Sequence, residues 1–485
     1  MSNLNYDTVV VGAGIAGLSA SVAARQAGAR VVLLDRASDS EYGGNTRYTE
    51  AFLRMKSVSE VAHDFESHFH DNMAGLVDPY LVTQTLMNPE HWSPLLKSLS
   101  FADPAVVSAF AEAAGPTLEW LQTFGLRFEP LPVPFITTAT SRLAPVGGGA
   151  QLLESLMAEA QRIGVEFAFE TTATDLLRDG AAVAGVEGYT TGHRSVSFGS
   201  NQVILASGGF EGNQEMLTKY IGPKAVNTRP VARGGYYNKG EGIEMALRIG
   251  AAPCGDYGLF HAEPIDPRSG IPEPALFIFP YGLLVNGEGV RFVDEAPATV
   301  DATYESITRR IFDQSEGSAF VILDAKLEDV PNRQLGIRTD QPPLEADSLE
   351  KLAALMEIPV DAFTSTVKDY NAACPPDDGF DPLLTDGLAT RGLDIPKSNW
   401  SRPIDRAPFL AYPIAAANVF TFGGLKVNGE AQVLNHDGDV IPGLYAAGET
   451  VGLYFGTYTG STSVLKGAVF GRLAGMAASV NPPAA

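Results

Sequence analysis

The stretch TVVVGAGIAGLSASVAARQAGARVVLLD, residues 8–35, decides the fold. An apolar β-branched run ends at Val11, and a G-x-G-x-x-G pattern follows it. A helical stretch then leads to a second apolar run that ends at Asp35. This order predicts a strand, a tight turn, a helix and a parallel strand, the arrangement that holds a dinucleotide pyrophosphate. The helix N-terminus would offer free N–H groups and partial positive charge to the phosphates.

The three glycines of this turn have separate expected roles. Gly12 permits the tight turn, Gly14 lets a pyrophosphate approach the backbone, and Gly17 lets the helix pack on the strand. Asp35, which stands 18 residues beyond the last glycine, would accept hydrogen bonds from the adenosine ribose. A G-x-G-x-x-G pattern alone is weak evidence, and an ordinary glycine turn is the alternative. The complete strand–turn–helix–strand context indicates dinucleotide binding.

Two later segments repeat this pattern of a buried strand followed by glycine. They are ILASGGF at residues 204–210 and VIPGLYAAGE at residues 440–449. Ligands of parallel sheets bind at the carboxyl ends of the strands, so Glu449 should meet the same ligand as Gly12. The expected fold class is therefore α/β, with a Rossmann-like nucleotide-binding domain assembled from distant parts of the chain.

These three segments together resemble the flavoprotein family of fumarate reductases, succinate dehydrogenases and 3-ketosteroid dehydrogenases. Further family landmarks are GGNT at 43–46, GGG at 147–149, NKGEG at 238–242 and NGEGVRFVDE at 286–295. The RGG at 233–235 and the segment from Asp256 to His261 are most similar to the tricarballylate dehydrogenase branch. The resemblance implies FAD as the cofactor. It implies noncovalent FAD, because no histidine stands at the family's covalent-linkage position near Tyr48.

The resemblance also implies which residues bind FAD. The helix that follows Ser463 would direct its N-terminus at the N1/O2 edge of the flavin, unless it is an ordinary packing helix. The expected FAD-binding residues are Gly12, Gly14, Ile15, Ala16, Gly17, Asp35, Arg36, Gly44, Asn45, Thr46, Arg47, Ala173, Ala206, Ser207, Gly208, Asn213, Gly240, Glu241, Gly448, Glu449, Ser461, Ser463 and Val464.

A chain of 485 residues is long enough for two or more domains. The resemblance implies a discontinuous FAD-binding domain, residues 1–252 and 406–485, with an α+β capping domain inserted at 253–405. Within the first part, the segments 165–169, 172–177 and 182–189 are expected to be strands of one small sheet. The active site should lie where the cap meets the FAD-binding domain.

Tyr458 is the first catalytic candidate. Fumarate reductases carry a carboxylate-binding arginine at this position and a histidine where this chain has Phe420, so fumarate reduction is not expected. Tyr458 resembles instead the tyrosine that ketosteroid dehydrogenases carry in a Thr-Tyr-Pro-Gly setting. A phenol there would hydrogen-bond a substrate carbonyl and acidify the neighbouring carbon. The alternative is a tyrosine that only packs beside the flavin.

Three further residues complete the catalytic candidates. Arg233, flanked by small residues, could present its guanidinium to a carboxylate, or it could form a structural ion pair. His261 matches a substrate-binding histidine of fumarate reductases, although a lone histidine is often a core group. Tyr281 could supply a second phenol from the cap, as in the ketosteroid branch.

Composition limits the other possibilities. The net charge of −23, from 34 basic and 57 acidic residues, argues against nucleic acid or an anionic membrane as partner. The two cysteines, Cys254 and Cys374, are too far apart in sequence for a redox pair, and no metal site is expected. No apolar run is long enough to span a membrane, and the first strand leaves no room for a signal peptide. A cytoplasmic location is expected.

The expected function is an FAD-dependent dehydrogenase that forms a C=C bond next to a carbonyl or carboxylate. Its substrate would be a small carboxylate or ketone, and its external electron acceptor would be oxygen, a quinone or a carrier protein. An ene-reductase of the same fold acting in the reverse direction is the alternative. A remote second alternative is a flavin-binding protein without catalytic activity.

Overall fold

A computed structural model describes residues 4–71, 78–131, 142–376 and 379–480. The α-helices are Ile15–Gln26, Phe65–Asp71, Pro79–Thr85, Pro94–Ser98, Pro104–Gln122, Gly148–Ile163, Gln214–Ile221, Glu241–Arg248, Val300–Phe312, Leu349–Met356, Val360–Ala373 and Ser463–Val480. The strands are Leu4–Asn5, Thr8–Val11, Val31–Leu34, Met55–Ser57, Glu60–Val61, Phe128–Pro130, Leu143–Pro145, Glu166–Ala168, Thr171–Asp179, Ala182–Thr190, Ser195–Gly199, Val203–Leu205, Arg229–Pro230, Pro253–Cys254, Phe260–Ile265, Leu283–Val285, Ser318–Leu323, Leu344–Ala346, Phe409–Thr421, Gly424–Leu425, Gln432–Leu434 and Val440–Ala446.

The first six-stranded sheet contains the three apolar segments that the sequence singled out. Its central strand, Thr8–Val11, pairs in parallel with Val31–Leu34 on one side and with Val203–Leu205 on the other. Val440–Ala446 pairs in parallel with Val203–Leu205, and Gln432–Leu434 adds an antiparallel edge. The strands Thr8–Val11, Val31–Leu34 and Val203–Leu205 are almost entirely apolar and are buried on both faces. The predicted strand–turn–helix–strand unit and the α/β class are confirmed.

The prediction for segment 165–169 is wrong in one respect. The segment forms the strand Glu166–Ala168, but this strand pairs in parallel with Val31–Leu34 and is an edge of the first sheet. It follows the helix Gly148–Ile163, so it returns to the sheet as a parallel strand. The small sheet consists instead of Leu4–Asn5, Ser195–Gly199, Ala182–Thr190 and Thr171–Asp179. The alternation of apolar and polar residues within the segment predicts a strand but does not indicate which sheet that strand joins.

The second six-stranded sheet is built around Phe409–Thr421, a strand of 13 residues. It pairs with Phe260–Ile265, Ser318–Leu323 and Leu344–Ala346 in antiparallel orientation and with Arg229–Pro230 in parallel. Two of these strands therefore lie outside the segment 253–405. The domain boundaries stay a prediction. The second sheet contains strands of the segment 253–405 together with one strand that precedes this segment and one that follows it. Its longest strand ends next to the first sheet.

The first helix, Ile15–Gln26, packs closely on the last, Ser463–Val480. A Cβ atom on Gly471 would lie 2.3 Å from the carbonyl oxygen of Ala16, and one on Gly475 would lie 2.3 Å from that of Ala20. The backbones of the two helices therefore touch without intervening side chains. This contact brings the beginning and the end of the chain together. No helix in the described ranges is long and apolar enough to cross a membrane.

We predict that Gly471→Ala destabilises the protein although alanine is the better helix former. Helix propensity alone would stabilise the variant by about 1 kcal/mol. The added methyl group would meet the backbone of the first helix, and overpacking of this kind costs about 1–3 kcal/mol. We expect a lower urea midpoint for Gly471→Ala and an unchanged midpoint for Gly192→Ala, an exposed position with open space around it. An unchanged or higher midpoint for Gly471→Ala would contradict the close contact.

Candidate active site

A long cavity, partly open to solvent, lies at the carboxyl ends of the parallel strands. It extends from the first glycine turn to the start of the C-terminal helix, and Val231, Glu273 and Phe420 border it from the second sheet and its loops. The predicted FAD-binding residues that line it are Gly12, Gly14, Ile15, Ala16, Asp35, Arg36, Gly44, Asn45, Thr46, Ala173, Ala206, Ser207, Gly208, Glu241, Gly448, Glu449, Ser463 and Val464.

Five predicted FAD-binding residues do not line the cavity: Gly17, Arg47, Asn213, Gly240 and Ser461. Their contacts in this structure are with the protein itself. A Cβ atom on Gly17 would lie 1.7 Å from the carbonyl oxygen of Gly12, so its role is helix–turn packing. Asn213 caps the helix Gln214–Ile221, and Arg47 donates a hydrogen bond to a backbone carbonyl. These residues therefore contact other parts of the protein and do not face the cavity.

The glycine turn fits a dinucleotide. A Cβ atom on Gly14 would have only ordinary contacts, at 3.6 Å and beyond, so protein packing does not demand glycine there. Gly14 borders the cavity and leaves its backbone open to a ligand, as a pyrophosphate requires. Asp35 also borders the cavity and accepts hydrogen bonds from the backbone N–H groups of Ala13, at 2.6 Å, and Ala37, at 2.8 Å. Burial raises the pKa of Asp35.

A buried pair of carboxyl groups, Glu211 and Glu449, lies beside the middle of the cavity. Burial raises the pKa of both, most strongly that of Glu211, where the charge of Glu449 adds to the effect. The two side chains share a hydrogen bond that favours the proton on Glu211. In agreement with this, no N–H or O–H group in the described ranges donates to Glu211 Oε2. Burial and the charge of Glu449 thus both favour the protonated form of Glu211.

Polar groups from three other parts of the chain surround this pair. Glu211 Oε1 accepts hydrogen bonds from Asn45 Nδ2, at 2.7 Å, and from Asn238 Nδ2, at 2.6 Å. Glu449 Oε1 accepts from the backbone N–H of Thr421 at 2.8 Å. The sequence analysis predicted Asn45 and Glu449 as site residues but did not predict Glu211, Asn238 or Thr421. Glu211 directly follows the ILASGGF segment, and this position is the sequence feature that could have identified it as a site residue.

Lys466 is a further residue that the sequence analysis missed. It lies in the first turn of the C-terminal helix, borders the cavity and donates a hydrogen bond to the carbonyl of Val451 at 2.8 Å. Burial lowers its pKa to about 7, while the charge of Glu449 opposes this. The ammonium group lies 4.5 Å from the centre of the Tyr454 ring. Lys466 therefore brings a titratable positive charge close to the carboxyl pair.

We predict that Glu211→Gln removes a pH-dependent loss of stability. The folded-state pKa of Glu211 lies above its unfolded value, so its contribution to stability is complete at acid pH and is lost as pH rises. Glutamine keeps the shape and the donated hydrogen bond but does not titrate. Between pH 5 and pH 8, the variant should gain about 1 kcal/mol or more of unfolding free energy relative to the wild type. Urea unfolding at several pH values measures this.

Glu187→Gln, at an exposed strand position, is the matched control for this experiment. It removes one carboxylate without touching the buried pair, and its stability should follow that of the wild type across the same pH range. Parallel pH curves for wild type and Glu211→Gln would show that Glu211 is not protonated in the folded protein.

Three aromatic side chains meet next to the cavity wall. The ring of His261 lies 4.4 Å from that of Tyr458 and 5.1 Å from that of Phe420, measured between centroids. His261 Nε2 and the hydroxyl of Tyr304 are 2.7 Å apart and share a hydrogen bond. Since Phe420 lines the cavity, His261 and Tyr458, which contact Phe420, lie next to the cavity on the side that this ring forms. Tyr304 did not emerge from the sequence, where it is one polar residue in a helical stretch.

The helix Val300–Phe312 fixes this cluster from the side of the middle segment. It carries Tyr304 and, next to it, the buried Glu305. Glu305 Oε2 accepts hydrogen bonds from the hydroxyl of Thr457, at 2.8 Å, and from the backbone N–H of Tyr458, at 3.0 Å. Its other oxygen pairs with Arg309 at 2.8 Å. Glu305 therefore ties the Tyr458 loop to the helix that presents Tyr304.

The hydroxyl of Tyr458 lies at the start of the C-terminal helix. It accepts hydrogen bonds from the backbone N–H groups of Thr462, at 3.0 Å, and Ser463, at 3.1 Å, and it donates to Ser463 Oγ at 3.1 Å. The phenol thus occupies the place of a helix cap. Two N–H donors at a helix N-terminus also stabilise negative charge on the phenol oxygen.

His261 is buried and uncharged at neutral pH. Burial lowers its pKa to about 4, and the charge of Arg309 adds to this, while that of Glu305 opposes it. Its Nδ1 atom has no hydrogen-bond partner among the residues that the structure describes. A buried nitrogen without a partner is rare in folded proteins and is a group that a ligand can engage.

The structure does not bring Arg233 and Tyr281 to this cluster. Gly234 packs against the backbone of Gly44, so the small residues beside Arg233 face inwards and the arginine itself is exposed. Tyr281 lies inside the middle segment, where its hydroxyl donates to the carbonyl of Pro382 at 2.5 Å and its ring lies 5.4 Å from that of Trp400. Tyr458 and His261 are in contact with each other.

The family model described as "FAD binding domain" matches residues 7–465. NADH:acrylate oxidoreductase of Vibrio harveyi is 28% identical over 98% of this chain, and the match spans about half of that longer protein (50%). Vinyl phenol reductase of Lactiplantibacillus plantarum is 27% identical, with 94% of this chain and 92% of that protein covered.

Two solved structures show the same fold. A flavocytochrome c3 fumarate reductase in its open conformation aligns with a TM-score of 0.75 at 23% identity, over 98% of this chain and 78% of that one. The 3-ketosteroid-Δ4-(5α)-dehydrogenase of Rhodococcus jostii RHA1 aligns with a TM-score of 0.67 at 26% identity, over 98% and 97%. The chain belongs to the FAD binding domain family and is an FAD-dependent oxidoreductase, as the resemblance predicted. The roles of individual residues stay predictions.

Proposed function

We propose that this oxidoreductase acts on CH–CH groups and forms a C=C bond next to a carbonyl or carboxylate of a small oxo- or carboxylic acid. When bound, FAD supplies the acceptor for the hydride that leaves the β-carbon. The observation that supports this direction is His261, an uncharged histidine whose Nδ1 is free and whose ring contacts Tyr458. A neutral imidazole removes a proton, whereas the reverse reaction needs a proton donor.

In this proposal His261 takes the α-proton. We assign the imidazole proton to Nε2, which then donates to the hydroxyl of Tyr304; this tautomer fixes the ring and leaves the lone pair on Nδ1 to accept the α-proton. The low pKa keeps the imidazole unprotonated throughout the neutral range. A pKa of about 4 makes it a weak base, so the α-proton must be acidified by a second group.

Tyr458 supplies that acidification. Its phenol turns its single proton from Ser463 Oγ to the substrate carbonyl and stabilises the enolate that develops. The two backbone N–H groups that bind the phenol oxygen stabilise it as it gives up part of its proton. Glu305 holds the backbone of the Tyr458 loop in place. An external acceptor, oxygen, a quinone or a carrier protein, finally takes the electrons.

The reverse reaction, reduction of a C=C bond, is the second candidate. One of the relatives above is named vinyl phenol reductase and has nearly the length of this chain, and the other is named an NADH:acrylate oxidoreductase. Their identities of 27% and 28% leave the direction open. In a reductase, Tyr304 or another buried donor would have to deliver the proton, because His261 is not protonated at neutral pH.

Anaerobic mixing of the yellow holoenzyme with saturated oxo-acids, ketones and acids tests the direction. Loss of the visible absorbance of oxidised flavin with at least one of them supports the dehydrogenase. If none of them reduces the flavin while the chemically reduced enzyme is rapidly reoxidised by enoates or enones, the enzyme is a reductase.

We predict that His261→Gln slows reduction of the flavin by a substrate about 10²–10⁴-fold, the usual contribution of a general base. Stopped-flow absorbance measures the rate, and the visible spectrum and melting temperature show whether the variant is folded and loaded. His193→Gln, at an exposed turn, should retain the wild-type rate. Titration of His261 should not lower the wild-type rate between pH 8 and about pH 5, because its folded-state pKa is about 4. An unchanged rate in His261→Gln rules out this base.

A further inference from the structure

We infer that Arg142 binds the carboxylate of the substrate and makes this enzyme selective for oxo-acids over neutral ketones. This inference rests on the proposed function, because it places the acid next to Tyr458. It assigns to Arg142 the role that the sequence suggested for Arg233, which the structure leaves exposed.

The first observation is a missing partner. Arg142 precedes the strand Leu143–Pro145 and is half-buried, and its Nη1 atom is fully shielded from solvent. That atom has no hydrogen-bond partner, and the guanidinium forms no ion pair with any residue in the described ranges. A buried charge without a partner costs several kcal/mol, so such groups are normally paired or engaged by a ligand.

The second observation is its position. A Cβ atom on Gly460 would lie 3.8 Å from Arg142 Nη2 and 3.8 Å from Arg54 Nη1, so both guanidinium groups lie close to Gly460. Gly460 is two residues from Tyr458. The charge of Arg142 is close enough to the phenol of Tyr304 to oppose the rise in its pKa. Arg142 therefore lies beside the cluster of Tyr458, His261 and Tyr304.

The third observation concerns the neighbouring guanidinium group, that of Arg54. Arg54 is neutralised by Asp64, with Nη2 and Oδ2 2.5 Å apart, and its Nη1 donates to the carbonyl of Gly460 at 3.0 Å. Arg54 is thus fully engaged by the protein, whereas no ion pair joins Arg142 to a residue in the described part of the chain. Burial lowers the pKa of Arg142, and the charge of Arg54 lowers it further, while the charges of Asp301 and Asp64 oppose this without forming an ion pair with it. A carboxylate in contact with Arg142 would counteract the effects of burial and of Arg54.

A carboxylate is the anion that fits these donors. The planar guanidinium offers parallel N–H groups that match the two oxygens of a carboxylate. A substrate with a ketone at Tyr458 and a carboxylate at Arg142 would be held at two points, which orients its α-carbon toward His261. The net charge of −23 would otherwise repel such an acid, so a local arginine is needed to bind it.

The test uses the holoenzyme and two probes that differ in charge and by one methyl group, 4-oxocyclohexanecarboxylate and its methyl ester. Binding is followed anaerobically through the shift that each probe causes in the visible spectrum of the bound flavin, and reduction of the flavin is recorded separately. We expect the wild type to bind the acid more tightly than the ester. Arg142→Gln should weaken binding of the acid about 100-fold and that of the ester less than about 3-fold.

Two further variants separate this role from a structural one. Arg142→Lys keeps the charge and should recover part of the affinity for the acid. Arg127→Gln removes an exposed charge beside the partner strand Phe128–Pro130 and should bind both probes as the wild type does. A structural role for Arg142 would instead change binding of acid and ester alike, together with the melting temperature.

The inference is overturned if the wild type shows no preference for the acid, if neither probe binds, or if Arg142→Gln weakens both probes equally. Failure of the proposed function has a different signature. In that case the acid binds and depends on Arg142, but no saturated probe reduces the flavin. The two readouts, binding and reduction, thus distinguish the two failures.

Discussion

The contact between the first and last helices is the constraint on which the site depends. Glycines on Ser463–Val480 let its backbone touch that of Ile15–Gln26, so no side chain separates the two. Both helices begin at the same edge of the first sheet, where the glycine turn and Glu449 also lie. Parts of the chain more than 400 residues apart thereby form one cavity, with two helix N-termini directed at it.

Burial determines the charge of the groups around this cavity. Although the chain carries a net charge of −23, burial raises the pKa of Glu211 and lowers that of His261, which favours the neutral form of both. Arginine keeps its charge under the same conditions, because its ordinary pKa lies far above neutrality. Arg142 therefore remains a cation close to His261, whose burial favours the neutral imidazole. This contrast agrees with the assignment of proton transfer to His261 and anion binding to Arg142, which itself rests on the contacts and positions of the two side chains.

The two sheets are connected to the site by specific hydrogen bonds. Phe409–Thr421 belongs to the second sheet, yet its last residues reach the cavity, where Thr421 donates to Glu449. The helix Val300–Phe312 makes a second connection, because Glu305 binds the loop of Tyr458. A change in the position of the middle segment would therefore reach both the buried carboxyl pair and the proposed catalytic tyrosine.

The sequence by itself determined the strand–turn–helix–strand unit, the α/β class, many of the residues that line the cavity and, through the family resemblance, the FAD cofactor. The unit, the class and the position of these residues depend on local patterns whose geometry is fixed by glycine, by apolar runs and by the direction of parallel strands. The tertiary structure alone decided that Arg233 is exposed, that Arg142 Nη1 has no hydrogen-bond partner among the described residues and that Glu211 lies next to Glu449. Such properties depend on which distant residues remove a side chain from water, and neighbours along the chain do not determine that.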